Sequence, residues 1–230
     1  FFVDEMLKAR GQSLEGMTCV VSGSGNVAIY AMEKLQQLGA KVVACSDSNG
    51  VIHDATGIKL DTVKRLKEVE RRRIRDYVQV HREAHYSEGG CIWDIAFFFD
   101  VTATTENELD ERAARTLLAN GCIAVGEGAN MPSTPGAVKL FVESGIAYGP
   151  GKAANGGGVS TSALEMQQNA SRDAWTFEFT EQRLREIMSN IHRSCYETAE
   201  EYGSPGNYVI GANIAGFKRV AEAMLAFGVI

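Results

Sequence analysis

The sequence offers little with which to build a metal centre or a disulfide framework. Its five cysteines, at 19, 45, 91, 122 and 195, are odd in number, far apart and never form a C-x-x-C pair. That favours reduced thiols, and a cytoplasmic location is expected. The four histidines, at 53, 81, 85 and 192, lack ligand spacing, so no metal is assigned. No apolar run reaches the ~18 residues that a membrane span needs, and Ile95-Ala-Phe-Phe-Phe99 is far too short. A net charge of −6 gives no general attraction to nucleic acid or to an anionic membrane, and the one basic cluster, Arg71-Arg72-Arg73-Ile74-Arg75, is local. Ser160 and Ser162 have no histidine and aspartate at a suggestive spacing, which argues against nucleophilic catalysis. Repeats and low-complexity tracts are lacking. Phe1-Phe2-Val3 opens inside a helical pattern without a methionine, cap or signal peptide, so the chain reads as a segment of a longer one.

What is present is an ordinary globular composition: 230 residues, 45% hydrophobic and 23% charged, enough for one large α/β domain or a domain with an appendage. The organising stretch is Thr18-Cys-Val-Val-Ser-Gly23-Ser-Gly25-Asn-Val-Ala28. A β-branched run stops at two glycines, and helical spacing begins at once. Gly23 suits the positive φ of a tight turn, Gly25 lets a pyrophosphate approach the backbone, and Ala28 lets the helix pack close to the strand. The helix start would supply free N–H groups and the positive end of its dipole. Lys41-Val-Val-Ala-Cys45 reads as the next strand, and Asp47, 19 residues beyond Ala28, stands where such folds place a ribose-contacting acid. Lys152 sits in a glycine-rich segment, but no glycine stands five residues before Gly151 and Ala153 replaces the Ser or Thr of a phosphate loop.

Further strands are expected at 95–101, 123–125 and 146–148, alternating with helices at 61–69, 108–118 and 134–144. Such alternation means parallel strands joined by right-handed crossovers, with the ligand crevice at their carboxyl ends. The segments Gly23–Asn26, Ser46–Ser48, Thr102–Asn107, Glu127–Asn130 and Lys152–Gly158 all fall at that rim as loops. The fold expected is α/β, a Rossmann-like, doubly wound, mostly parallel sheet with C-terminal helices. Residues 1–163 form the dinucleotide-binding domain, and 164–230 form a helical segment with long helices at 180–202 and from about 213.

Several longer motifs together resemble the cofactor-binding half of hexameric, NADP-type glutamate dehydrogenases. They are Val21-Ser-Gly-Ser-Gly-Asn-Val-Ala28, Ser46-Asp-Ser48, Asn107-Glu-Leu-Asp110, Glu127-Gly-Ala-Asn-Met-Pro132, Gly151-Lys-Ala-Ala-Asn155, Gly157-Gly-Val159 and Asn207-Tyr-Val-Ile-Gly-Ala-Asn-Ile-Ala-Gly216. The resemblance implies reversible oxidative deamination of L-glutamate to 2-oxoglutarate and ammonium with NADP. It places the pyrophosphate over Gly23, Ser24, Gly25, Asn26 and Val27. The nicotinamide and its ribose lie near Thr105, Glu106, Gly128, Ala129, Asn130 and Asn155. The substrate's side-chain carboxylate meets Ser162, with Val159 on its methylenes. Asp47 and Ser48 flank the 2′-position, where a basic residue from 71–73, with Arg72 favoured, would meet a 2′-phosphate. An acid at that strand end otherwise suits NAD, which stays the alternative cofactor. The resemblance also implies a homo-oligomer in the complete enzyme, and C-terminal helices that return to a substrate domain lacking from this chain. The family's catalytic lysine and aspartate lie in that domain, so the chain is expected to bind cofactor without turning over. Ile95–Glu106 departs from the family pattern: Phe97–Phe99 add bulk, Asp100 falls at a strand position, and Glu106 replaces a neutral amide. Two other readings remain: a dehydrogenase of the same superfamily acting on an apolar amino acid, which would gain nothing from Ser162, and a non-catalytic NAD(P)-binding module.

Overall fold

The computed structural model describes residues 1–95, 99–102 and 106–228, with Phe99, Asp100 and Thr102 described for their backbone only. The strands are β1 (Thr18–Ser22), β2 (Lys41–Asp47), β3 (Gly50–His53), β4 (His85–Glu88), β5 (Phe99–Thr102), β6 (Ala124–Glu127) and β7 (Ala147–Gly149). They form one sheet in the order β4-β3-β2-β1-β5-β6-β7. The pairs β1–β2, β1–β5, β5–β6 and β6–β7 are parallel, whereas β2–β3 and β3–β4 are antiparallel. The strand order reverses at β1, which puts the crevice of a doubly wound sheet at its carboxyl end. The fold class expected from the sequence is therefore observed.

The helices are α1 (Phe2–Lys8), α2 (Asn26–Gln37), α3 (Leu60–Lys64), α4 (Tyr77–Val80), α5 (Glu111–Ala119), α6 (Pro135–Ser144), α7 (Gly151–Ala154), α8 (Gly156–Ser171), α9 (Phe177–Glu201) and α10 (Tyr208–Phe227). Side chains alternate across each strand. Cys19 and Val21 of β1 join the layer that holds Met6, Met32 and Met188, while Val20 joins the layer that holds Leu117 and Phe141. Helices thus cover both faces of the sheet. Small residues in β6 and β7 let α1 lie directly on the sheet: a Cβ on Gly126 would stand 2.3 Å from Val3 Cγ2, and one on Gly149 3.0 Å from Met6 Cε.

The structure departs from the expectation at several places. The sheet extends through β3 and β4, two strands that were not expected. Asp47–Gly50 is indeed the turn between β2 and β3, with Asp47 facing Gly50 across the hairpin. The 152–158 segment is helical rather than a loop, forming most of α7 and the start of α8. Helix α10 begins at Tyr208, not near 213, because Asn207 Oδ1 accepts the N–H groups of Val209 and Ile210. Of the strand expected over 95–101, Ile95 stands in a bend after a short helical turn, and β5 runs from Phe99 to Thr102. The 163/164 division falls within α8.

A buried acid anchors the hairpin extension. Asp54 has 0% exposure. Its Oδ1 accepts from Thr56 N (2.9 Å) and Thr56 Oγ1 (2.7 Å), and its Oδ2 accepts from the Tyr77 hydroxyl (2.8 Å). That hydroxyl accepts in turn from Lys59 N (2.9 Å), so one carboxylate ties the end of β3 to α4 and to the start of α3. Burial opposes ionisation, but the hydrogen bonds from Thr56 and Tyr77 outweigh it and hold the carboxyl below its ordinary 3.8. A depressed carboxylate adds stability that is complete above the unfolded value and is lost as pH falls through the folded one. Asp54→Asn is expected to lower stability by about 2 kcal/mol at neutral pH. It should also flatten the loss of stability below pH ~4. Urea unfolding as a function of pH measures both; parallel pH profiles for the two proteins would refute the assignment.

Candidate functional site

The turn after β1 is held open by its neighbours. Gly23 has φ 97°, the left-handed region in which a side chain is strained. Its N–H donates to Ser46 Oγ at 2.8 Å, so the end of β2 fixes the course of the turn. Gly25 caps α2 with φ −82° and ψ −172°, and no side chain bonds to the first turn of that helix, which carries no acid. A Cβ on Gly25 would meet nothing within 4 Å. The N–H groups at the start of α2 therefore face open space, as anion binding requires. A cavity of about 350 Å³ lies there, lined by Ser24, Gly25, Asn26, Lys67, Glu68 and Arg71 among others. Val27, in the first turn, is 52% exposed.

At the end of β2 the two oxygens of Asp47 are both engaged. Oδ1 accepts from Asn49 N at 2.9 Å, and Oδ2 from Ile74 N at 3.3 Å. Ser48 Oγ accepts from Arg73 Nη1 at 2.8 Å and lies 3.1 Å from Asn49 Oδ1. Arg72, the favoured cation in the sequence, is turned instead to its own acidic neighbours, 3.6 Å from Glu70 and 3.9 Å from Asp76. Arg71 takes φ 54° and lines the cavity at the start of α2. The cluster was visible in the sequence; the member that reaches Ser48 was not.

The other end of the site gathers around Asn130. Its Nδ2 donates to Glu106 Oε1 at 3.3 Å, and Asn155 Nδ2 donates to Ala129 O at 3.2 Å. Asn107 and Met131 both have positive φ, 56° and 46°, and the Asn107 N–H donates to Met131 O at 3.0 Å. The segments at Glu106, Gly128–Asn130 and Asn155 are thus brought together. Thr105, Phe97 and Phe98 lie outside the described residues. Asn155 also caps α8, on which Val159 (72% exposed) and Ser162 stand one turn apart. Ser162 Oγ donates back to Gly158 O at 3.3 Å.

One residue that sequence reasoning passed over lies beneath this cluster. Glu127, 4% exposed, accepts from Tyr148 Oη (2.6 Å), Gly151 N (2.7 Å) and Ser133 N (3.3 Å). Burial first, then the adjacent carboxylate, pushes the Tyr148 phenol well above its ordinary range. A glutamate ending a buried strand was the available signal.

The sequence matches the model of the glutamate/leucine/phenylalanine/valine dehydrogenase family over residues 1–228. It is 51% identical to the NADP-specific glutamate dehydrogenase of Helicobacter pylori (strain 26695), covering 100% of this chain and 53% of that protein. It is 48% identical to the NADP-specific enzyme of Escherichia coli (strain K12), of which it covers 52%. The structure superposes on Plasmodium falciparum glutamate dehydrogenase with a TM-score of 0.96 at 43% identity, covering 100% of this chain and 50% of that one. The chain therefore spans about half the length of the relatives it matches. With the glycine turn, the crevice and its rim all supplied by segments inside the matched span, the chain belongs to the glutamate/leucine/phenylalanine/valine dehydrogenase family.

Proposed function

We propose that the chain is the cofactor-binding half of an NADP-dependent glutamate dehydrogenase, which interconverts L-glutamate with 2-oxoglutarate and ammonium. NADP, when bound, supplies the hydride acceptor. Gly23–Val27 and the first turn of α2 would hold its pyrophosphate. Gly128–Asn130, Glu106 and Asn155 would orient the nicotinamide end. Val159 and Ser162 would face the substrate, where a hydroxyl can turn from Gly158 O to donate to a carboxylate. This favours an acidic side chain over the apolar substrates of the wider family. Exposed apolar residues on α8 and α10, among them Met166, Phe217, Leu225 and Phe227, suit packing against the remaining half of the enzyme. A cytoplasmic, homo-oligomeric complete enzyme fits this reading.

The observation that carries the cofactor choice is the pairing of Arg73 with Ser48 beside an acid whose two oxygens each already accept a backbone N–H. An NAD-selecting acid offers an oxygen to the ribose 2′-hydroxyl, whereas each oxygen of Asp47 already accepts a backbone N–H, so a 2′-hydroxyl would have to share them. Ser48 and Arg73 instead present a donor and a fork suited to phosphate. Titration of the chain should show NADPH binding more tightly than NADH. Arg73→Ala should weaken NADPH by about 10- to 100-fold, the range for a hydrogen-bonded charge, while leaving NADH within about twofold. Equal affinities for the two cofactors in the unaltered chain would return the reading to NAD. The chain alone should not oxidise glutamate, and a separately supplied substrate domain should restore turnover.

A further inference from the structure

We propose that Glu127 is a positioning residue, one that sets the nicotinamide end of the site without touching the cofactor. The inference rests on the cofactor reading above and deepens it. Every partner of this buried carboxylate is a donor: the Tyr148 hydroxyl, the Gly151 N–H and the Ser133 N–H. Each partner belongs to a different segment. Tyr148 is on β7, Gly151 opens α7, and Ser133 ends the bend that begins at Gly128. Glu127 itself is the last residue of β6, so one side chain fastens together the two segments that carry Asn130 and Asn155. The upper side of the same joint is the Asn155–Ala129 hydrogen bond.

Backbone hydrogen bonds tie Met131, Pro132 and Thr134 to Asn107 and Leu109, and Glu127 supplies the tie from the bend to β7 and α7 beside a cavity. Met131, Ser133, Val138, Tyr148, Lys152 and Val209 border a cavity of about 460 Å³ that Glu127 also lines. A segment with open space behind it is held by its hydrogen bonds, and only an acceptor on both oxygens satisfies all three donors. A glutamine must aim its NH₂ at a donor on one side, which either releases the Gly151 N–H, or releases the Ser133 N–H and forces the Tyr148 hydroxyl to turn from donor to acceptor. Gly151 already lies close to the bend, since a Cβ there would stand 2.9 Å from Ala129 O. The adenosine end lies across the sheet at β1 and β2 and shares none of these bonds.

The test compares two probes on the full chain: NADPH, and 2′,5′-ADP, which carries the adenosine phosphates but no nicotinamide. Glu127→Gln should weaken NADPH about tenfold and leave 2′,5′-ADP within about twofold. The fluorescence of bound NADPH should move toward that of the free cofactor. Tyr148→Phe, which removes one donor and keeps the carboxylate, should weaken NADPH two- to threefold by the same pattern, and it carries the test if the glutamine variant does not fold. Equal weakening of both probes would reduce Glu127 to a general structural residue and overturn the inference. Unchanged NADPH binding and fluorescence in both variants would overturn it while leaving the cofactor reading intact. Failure of the unaltered chain to bind either probe would overturn the cofactor reading and this inference with it.

Discussion

Gly25→Asp should abolish dinucleotide binding in a chain that is no less stable than the original. The backbone at this position is in the extended region open to any residue, and a new Cβ meets nothing within 4 Å. Aspartate is moreover among the best residues for a helix N-cap, while glycine supplies no side-chain acceptor there. The new carboxylate would accept the N–H groups at the start of α2 and place its charge where the pyrophosphate belongs. Loss of those donors and like-charge repulsion together should exceed ~3 kcal/mol, or more than 100-fold in affinity. Calorimetric titration with NADPH gives the first quantity, and a thermal melt gives the second. Near-original affinity would mean that the glycine turn is only a turn. A large drop in melting temperature would mean that the open space above it serves folding.

How far the sequence could foretell this site depends on where its information is local. The turn at Gly23–Asn26 was legible because strand, glycines and helix are contiguous, and each residue's role follows from backbone geometry alone. The start of α6 at Thr134–Pro135 was legible for the same reason, since the Thr134 side chain accepts from Ala137 N, one turn ahead, whereas α5 starts at Glu111, after its Asp110 cap, rather than at 108. Strand β4 was not. His85-Tyr-Ser-Glu88 is polar and mostly exposed, an edge strand whose partner β3 lies more than thirty residues earlier, so it carries neither apolar alternation nor a nearby turn.

The glycine-rich segment after β7 shows a different limit. Glycine lowers helix propensity, and a run of it reads as a loop. Here tertiary contacts override that preference. A Cβ on Gly151 would crowd Ala129 O, and one on Gly156 would stand 3.3 Å from Ile191 Cδ1. The glycines allow helices α7 and α8 to lie close to the bend after β6 and to α9, which sequence spacing cannot reveal. The sequence marks Arg73 only as one of three candidates, with Arg72 favoured, and does not single out Glu127, for a related reason. Their importance comes from Ser48, Tyr148, Gly151 and Ser133, partners at least six residues away. The basic cluster does lie beside Asp47 and Ser48, and it is Arg73 that reaches Ser48.

Helix α10 provides a pair of glycines expected to respond in opposite directions. Gly211 sits where α10 crosses α9: a Cβ there would lie 2.0 Å from Cys195 O and 2.8 Å from Cys195 C, both backbone atoms that no rotamer change can move. The helices would have to part. That would strain the His192–Tyr208 hydrogen bond of 2.9 Å and the edge contacts of Phe2 with both rings, at 5.4 and 5.7 Å. Gly216, five residues on, has nothing within 4 Å of the same added atom. Alanine exceeds glycine by about 1 kcal/mol in a helix interior, so Gly216→Ala should stabilise by up to that amount. Gly211→Ala should gain the same propensity and still lose about 2–3 kcal/mol net, since overpacking and a damaged buried hydrogen bond together outweigh it. Denaturant unfolding of the two variants decides the matter. Stabilisation by both would show that α9 and α10 can separate freely. Because Lys152 of α7 donates to Asn213 of α10, separation at Gly211 should also loosen the nicotinamide end, and weaker NADPH binding in Gly211→Ala but not in Gly216→Ala would connect the crossing to the site.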